Sequence, residues 1–189
     1  KEGSVTVIGA VSPAGGDFSE PVTQNTKRFV GTFLGLDRKL AYARHYPAIN
    51  WLSSYSGYVA DLGEWYEKNV AEDLMDLRAK AMKLLQEEAK LLEIVKLVGE
   101  DVLPDDQRLI LEIAKVIKTG FLQQNAYHDE DTYVPLHKQY RMLKIIGFLY
   151  DQANSAVQEG IPISRVRNGE LFNEIIQMKY RIPNNYTNE

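Results

Sequence analysis

Two hydrophobic periodicities divide this chain near residue 50. Ser4 to Val11 reads SVTVIGAV, a run rich in β-branched residues with the partial alternation of a strand. A strand there needs neighbours to pair with. The run therefore predicts either sheet partners upstream, in a longer chain cut before Lys1, or a natural edge strand at a processed N-terminus. Ser12-Pro13-Ala14-Gly15-Gly16-Asp17 is a dense turn signal. Ser19-Glu20-Pro21 predicts a short helix with Ser19 as N-cap and Pro21 in the first turn. Phe29 to Leu34, FVGTFL, has the composition of a buried strand, and Asp37 predicts the cap of a short helix from Arg38 to His45. Strands alternating with short helices suggest the edge of an α/β sheet, in a piece too small for a complete α/β domain.

From about Ser53 onward the period is helical. Tyr58, Leu62, Trp65 and Tyr66 fall at helical spacing between residues 56 and 69. Leu74 to Val98 predicts a long amphipathic helix, with one break near Ala89 and Gly99 as its C-cap. Pro104-Asp105-Asp106 opens the next helix, through Leu109, Ile113 and Ile117, with Gly120 near its end. Val134 to Gln158 predicts a further long helix. Asn168-Gly169-Glu170 precedes a last one, Leu171 to Tyr180, and Pro183-Asn184-Asn185 closes a polar tail. Five or so helices in about 130 residues make a bundle. The expected fold class is mainly α, with a helical bundle over residues 51–189 preceded by a small α/β remnant over residues 1–50. Pro47 to Trp51 is the junction, and no solenoid repeat is visible.

Composition narrows the function classes. Hydrophobic residues make up 44% of 189, which predicts a globular chain. A net charge of −4 gives no footprint for nucleic acid or an anionic membrane surface. There is no cysteine, hence no disulfide and no Cys-ligated zinc. No apolar run approaches the roughly 18 residues of a spanning helix. The phosphate-binding pattern G-x-x-x-x-G-K-[ST] is absent, and Gly15-Gly16 reads as turn chemistry. His45, His128 and His137 are far apart; His128-Asp129-Glu130-Asp131 has the look of a ligand cluster but reads as a solvated connector, and no metal site is assigned. The alternating charges from Lys80 to Lys96 read as a solvated helix face with i,i+4 pairs.

Aromatic residues stand out. Tyr42, Tyr46, Trp51, Tyr55 and Tyr58 cluster at the junction, and Phe121, Tyr127 and Tyr133 follow a helix. Aromatic faces at a domain seam suit the stacking of a purine, and they equally suit ordinary packing. Periodicity leaves both open.

Three strings carry a resemblance. GSVTVIGAVSPAGGDFSEPVTQNT (Gly3 to Thr26) resembles the region after the core strands in the catalytic A subunit of V-type and archaeal A-type rotary ATPases. RHYPAINWLSSYS (Arg44 to Ser56) resembles that subunit's passage into its helical domain, and GFLQQNAYHDEDTY (Gly120 to Tyr133) its adenine-side loop. The helical order fits to the end of the chain. The HYPAINWL string separates it from secretion-type ATPases and from the noncatalytic B subunit. A free-standing helical interaction module without nucleotide binding is the alternative from another class.

The resemblance implies that residues 1–50 are the end of a P-loop nucleotide-binding domain. The phosphates, Mg2+ and the attacking water would be handled upstream, with no catalytic residue here and no ATPase activity in this segment alone. It implies ATP or ADP with Mg2+ in the intact subunit, and no nucleotide tightly held by the segment. Tyr46 and Tyr127 would sandwich adenine, with Pro47, Gln124 and Ala126 beside them. The two positions are often Phe in the family, and Tyr keeps the stacking face. Asp17, Phe18, Ser19 and Glu20 would face the rotor. The helical domain, including the loop near Asp101 to Asp106, would swing on a hinge at Tyr46-Pro47 and push the central stalk. The implied partners are noncatalytic B subunits and central-stalk subunits, with no nucleic acid and no membrane insertion. The implied location is the cytoplasmic head of an ion-translocating complex, driven by or driving H+ or Na+ flow.

Overall fold

The computed structural model describes residues 3–167 and 170–188. In chain order these form α1 (Pro21–Phe29), β1 (Thr32–Phe33), α2 (Arg38–Tyr42), β2 (Tyr55–Ser56), α3 (Tyr58–Asn69), α4 (Leu74–Val98) and α5 (Asp105–Val116). Then follow α6 (Asp129–Thr132), α7 (Leu136–Gln158), α8 (Ile163–Val166) and α9 (Leu171–Arg181). Most described residues are helical, and the only named strands among them pair antiparallel, Thr32 opposite Ser56 and Phe33 opposite Tyr55. The molecule is a helical domain preceded by a small remnant of another domain.

Helix α5 is the centre of the bundle. Leu109, Ile113, Ala114 and Val116 on it, and Ile117 just beyond, are at most 1% exposed. Spacing of three and four residues gives one apolar stripe, and the adjacent Ala114 and Val116 widen it. Leu84 and Leu85 of α4 pack on it, with Met142 and Ile146 of α7 and Phe172, Ile175 and Met178 of α9. Asp105 Oδ2 accepts the backbone N–H of Ile163 at 3.2 Å, which ties α8 to the start of α5.

The long helices follow the hydrophobic pattern. Helix α4 runs unbroken from Leu74 to Val98, so the expected break near Ala89 does not occur. Gly99 ends it with φ 86, donating its N–H to Val95 O, in a conformation a side chain would disfavour. Pro104 stands at the N-cap of α5 and Pro135 at that of α7. Beyond Val116 the helix widens into a π turn, Ile117–Leu122, which hydrophobic spacing does not announce. Gly120 lies in that turn where a Cβ would stand 3.2 Å from Ile176 Cα, so its missing side chain admits α9. Glu170 precedes α9, while Asn168 and Gly169 lie outside the described residues. The expected polar tail forms a 3-10 helix, Asn184–Asn188.

The first 50 residues depart more. Ser4 to Val11 is not a strand: Val5, Val7 and Ile8 are 92%, 87% and 94% exposed, and no described strand pairs with them. FVGTFL is not one buried strand either. Phe29 completes α1 and is exposed, and only Thr32 and Phe33 pair. Glu20, not Ser19, is the N-cap residue of α1, because the Ser19 amide and hydroxyl both donate to Asp17 Oδ1. Asp37 caps α2 as expected, accepting from Lys39 N at 2.7 Å and Leu40 N at 3.4 Å. That helix stops at Tyr42 rather than His45, since Arg44 turns left-handed at φ 55 and His45 N donates back to Leu40 O.

The charged face of α4 is only partly solvated. Lys83–Glu87 and Lys96–Glu93 are surface pairs, as expected. Glu88, however, shares the buried stripe of Leu84 and Leu91 and is 5% exposed. It pairs with Lys118 of the π turn at 2.5 Å. Lys118 Nζ also lies 5.8 Å from the centre of the Trp51 ring, and Trp51 stacks obliquely on His45 at 5.6 Å. Burial holds His45 below its ordinary 6.5, and the charges of Lys179 and Lys118 push the same way.

Replacing Leu109 by Ala should cost about 2–5 kcal/mol through the cavity left at the centre. Leu97→Ala at an exposed site should stay within about 0.5 kcal/mol, both read from urea unfolding. His45 gives a pH signature. Below 6.5 the unfolded chain takes up a proton that folded His45 resists, so this contribution to stability is present above 6.5 and is lost as pH falls toward the depressed folded value. The variant His45→Gln should flatten that part of the stability profile; an unaltered slope would contradict the assignment.

Candidate functional site

Two loops meet where the first 50 residues join the bundle. The Gln124 amide donates to Tyr46 O at 2.7 Å, and Gln123 Nε2 donates to Arg44 O at 3.1 Å. Segments 44–46 and 123–124, almost 80 positions apart, therefore run side by side. The Tyr46–Pro47 peptide bond is cis. Tyr46 is 54% exposed and Tyr127 98%, and Pro47, Gln124 and Ala126 are also exposed. Among the described residues, neither tyrosine ring packs on another ring. Tyr46 is steadied by its hydroxyl, which donates to Ala41 O at 3.4 Å, and Tyr127 by its amide, which donates to Asn125 Oδ1 at 3.0 Å. The arrangement offers flat apolar faces beside a side-chain amide, the chemistry that holds a heteroaromatic base.

Most of the other clustered aromatics are packing. Trp51 and Phe121 lie against the core. Tyr55 stacks on Phe33 at 6.0 Å and donates its hydroxyl to Lys27 O at 2.6 Å. Tyr58 covers Gly31, where a Cβ would stand 2.8 Å from the ring. Tyr42 and Tyr133 are exposed.

The loop carrying Tyr127 is fastened from beneath. Asp131, 2% exposed, accepts the Asn125 amide at 2.6 Å. His128 Nδ1 accepts the Glu130 amide at 3.2 Å as the cap of α6, and Glu130 accepts the Asn184 amide. The stretch His128–Asp131 is thus not a solvated connector. Its His128, Glu130 and Asp131 side chains accept backbone amides, while Asp129 is exposed. Among the described residues, no three His, Asp or Glu side chains come together in a way that would hold a metal ion.

Two buried lysines that composition and spacing motifs do not single out complete the support. Lys179, 2% exposed, donates to Thr119 O at 2.8 Å and to Gln123 O, and lies 3.8 Å from Asp131 Oδ2. Lys138, also 2% exposed, points at Lys179 O, Ile182 O, Glu130 O and Asn184 Oδ1, all between 2.7 and 3.1 Å. Burial lowers the pKa of both ammonium groups, while the nearby carboxylates oppose the shift. Their signal is positional: Lys138 precedes buried Met142 by four residues and Lys179 follows buried Ile175 by four, so each lysine stands on an apolar stripe.

A separate cleft of about 440 Å³ opens along the same seam, lined by His45, Trp51, Glu88, Lys96, Lys118 and Gln123. Neither Tyr46 nor Tyr127 lines it. Of the four residues expected to face a rotor, Asp17 and Ser19 are exposed and Phe18 and Glu20 half-buried. Phe18 packs edge-on against Phe33 at 5.5 Å, and Glu20 accepts the Thr23 hydroxyl at 3.1 Å. The Ser19 hydroxyl, and then its amide, hold the Asp17 carboxyl below its usual range. In the loop after α4, Val102 is exposed, and Arg108 donates to Glu100 O and Asp101 O.

Comparison with known proteins places this geometry in a family. Residues 63–167 match the C-terminal domain of V and A type ATP synthase. Residues 1–56 match the nucleotide-binding domain of the ATP synthase alpha/beta family. The V-type ATP synthase alpha chain 2 of Clostridium tetani is 73% identical over 183 residues, covering 97% of this chain and 31% of the relative. The V-type ATP synthase alpha chain of Halothermothrix orenii is 62% identical over 97% of this chain and 31% of the relative. An A-type ATP synthase subunit of Methanospirillum hungatei is 53% identical over 95% of this chain and 31% of its own length. The chain thus spans about a third of the curated relatives it matches. In fold it is similar to the ATP synthase subunit NeqB from Nanoarcheaum equitans, with TM-score 0.60 and 20% identity over 72% of this chain and 33% of that one. Since one domain match alone covers more than half of its residues, the chain belongs to the V- and A-type ATP synthase family.

Proposed function

We propose that these residues form the C-terminal region of the catalytic subunit of a V/A-type rotary ATPase, in which they supply the adenine side of the nucleotide site and the moving helical domain. The supporting observation is the hydrogen bond from the Gln124 amide to Tyr46 O, which sets two exposed aromatic residues on adjoining loops at the domain seam. Tyr46 and Tyr127 offer their faces to adenine, and Pro47, Gln124 and Ala126 border it. The phosphates and Mg2+ fall to parts of the subunit outside these residues, because the chain has no G-x-x-x-x-G-K-[ST] motif. The domain boundary lies at residues 50–51, and the Tyr46-Pro47 junction is the hinge.

Nucleotide occupancy moves the bundle about that hinge, and the bundle, through the loop near Asp101 to Asp106, acts on the central stalk, which Asp17, Phe18, Ser19 and Glu20 also face. Noncatalytic B subunits are the flanking partners, and the assembly sits on the cytoplasmic face of a membrane, coupled to H+ or Na+ movement. No helix of the described residues is long and apolar enough to cross a membrane. A free-standing interaction module fits less well, since the relatives carry this region within chains about three times as long.

In the intact subunit, Tyr127→Ala and Tyr46→Ala should each weaken ATP binding by about 1–3 kcal/mol, the worth of one stacked base. Competition by tripolyphosphate, which has no base, should not change. Unaltered ATP affinity in both variants would refute the adenine assignment.

A further inference from the structure

We infer that Lys179 and Asp131 are positioning residues for the base-binding loop, holding residues 123–127 so that Tyr127 stays beside Tyr46. The inference rests on the adenine reading above. Both side chains are 2% exposed and reach the loop from different helices, α9 and α6. Neither lies on the surface where a base would stack, so both act through the backbone of other residues.

The key atom is Thr119 O. In a continuing π turn, the Gln124 amide would donate to the carbonyl five positions back, Thr119 O, as the Gln123 amide does to Lys118 O at 2.9 Å. It donates to Tyr46 O instead, at 2.7 Å. Thr119 O is left to Lys179 Nζ, at 2.8 Å, and the same ammonium takes Gln123 O. Lys179 thus ends the helical ladder at the point that releases the Gln124 amide to the junction. Asp131 faces Lys179 at 3.8 Å and accepts the Asn125 amide at 2.6 Å. Asn125 Oδ1 accepts the Tyr127 amide at 3.0 Å. An unbroken series of contacts runs from the buried ion pair to the backbone of Tyr127.

The test compares, in the complete ATPase containing the full-length chain, the unaltered enzyme with Lys179→Met, Asp131→Asn, Tyr127→Ala and each of the first two combined with Tyr127→Ala. ATP hydrolysis gives KM and kcat, and tripolyphosphate inhibition reports the phosphate side alone. Lys179→Met should raise the KM for ATP about tenfold, the scale of one stacked base. It should leave kcat within about twofold and inhibition by tripolyphosphate unchanged. Combined with Tyr127→Ala it should add little, because both changes remove the same stacking. Asp131→Asn keeps an acceptor for the Asn125 amide and should act in the same direction more weakly. A purely structural role would lower kcat and add fully to Tyr127→Ala. Additivity, or an unchanged KM in both single variants while Tyr127→Ala still raises it, overturns the positioning role and leaves the adenine reading intact. If Tyr127→Ala itself leaves KM unchanged, Tyr127 has no stacking for Lys179 and Asp131 to position and the inference fails; the adenine reading fails with it only if Tyr46→Ala also leaves KM unchanged. Should Lys179→Met not assemble, Asp131→Asn alone and with Tyr127→Ala decides by the same criteria.

Discussion

Backbone carbonyls shut away from water must find donors, and the lower half of this bundle is organised by that requirement. The π turn after α5 and the C-terminus of α9 both end inside the molecule, where their last carbonyls face other helices and not solvent. Lys179 meets the first set with two hydrogen bonds, beside the Asp131 carboxylate, and Lys138 meets the second. A lysine is suited to this task because it carries three donors on a long apolar stem that packs like a hydrocarbon. Removal of either would leave several acceptors stranded together, so the two lysines, α9 and the loop after the π turn form one cooperative unit.

The bundle was legible from hydrophobic spacing, because helices that pack on a common core carry their pattern locally. Leu74 to Val98 and the stripe Leu109, Ile113, Ile117 fall where the period places them. The first 50 residues were read less well for a physical reason. Val5, Val7 and Ile8 have strand chemistry, yet a strand is defined by its neighbour, and no described neighbour lies beside them. The π turn was not foreseen, because it depends on where α9 crosses Gly120, a tertiary fact.

The candidate site divides in the same way. The strings that contain Tyr46 and Tyr127 are visible in the sequence, and the segments 44–46 and 123–124 are joined by two backbone-directed hydrogen bonds that no spacing rule anticipates. The acidic run after His128 looked like a solvated surface because its composition is polar. Within it, Asp131 and Glu130 accept the amides of Asn125 and Asn184, which the fold delivers from both directions along the chain. Charged side chains on apolar stripes, Glu88, Lys138 and Lys179, mark where the bundle exchanges hydrophobic contact for specific connection.

Glu88 has a mechanical consequence. Its bond to Lys118 fastens α4 to the π turn at an interior point, not at an end. Glu88 divides that 25-residue helix into arms of about 21 Å and 15 Å, at the α-helical rise per residue. With Lys80 also bound to Asp151 of α7 at 2.6 Å, α4 is a stiff tie that links the π turn to α7.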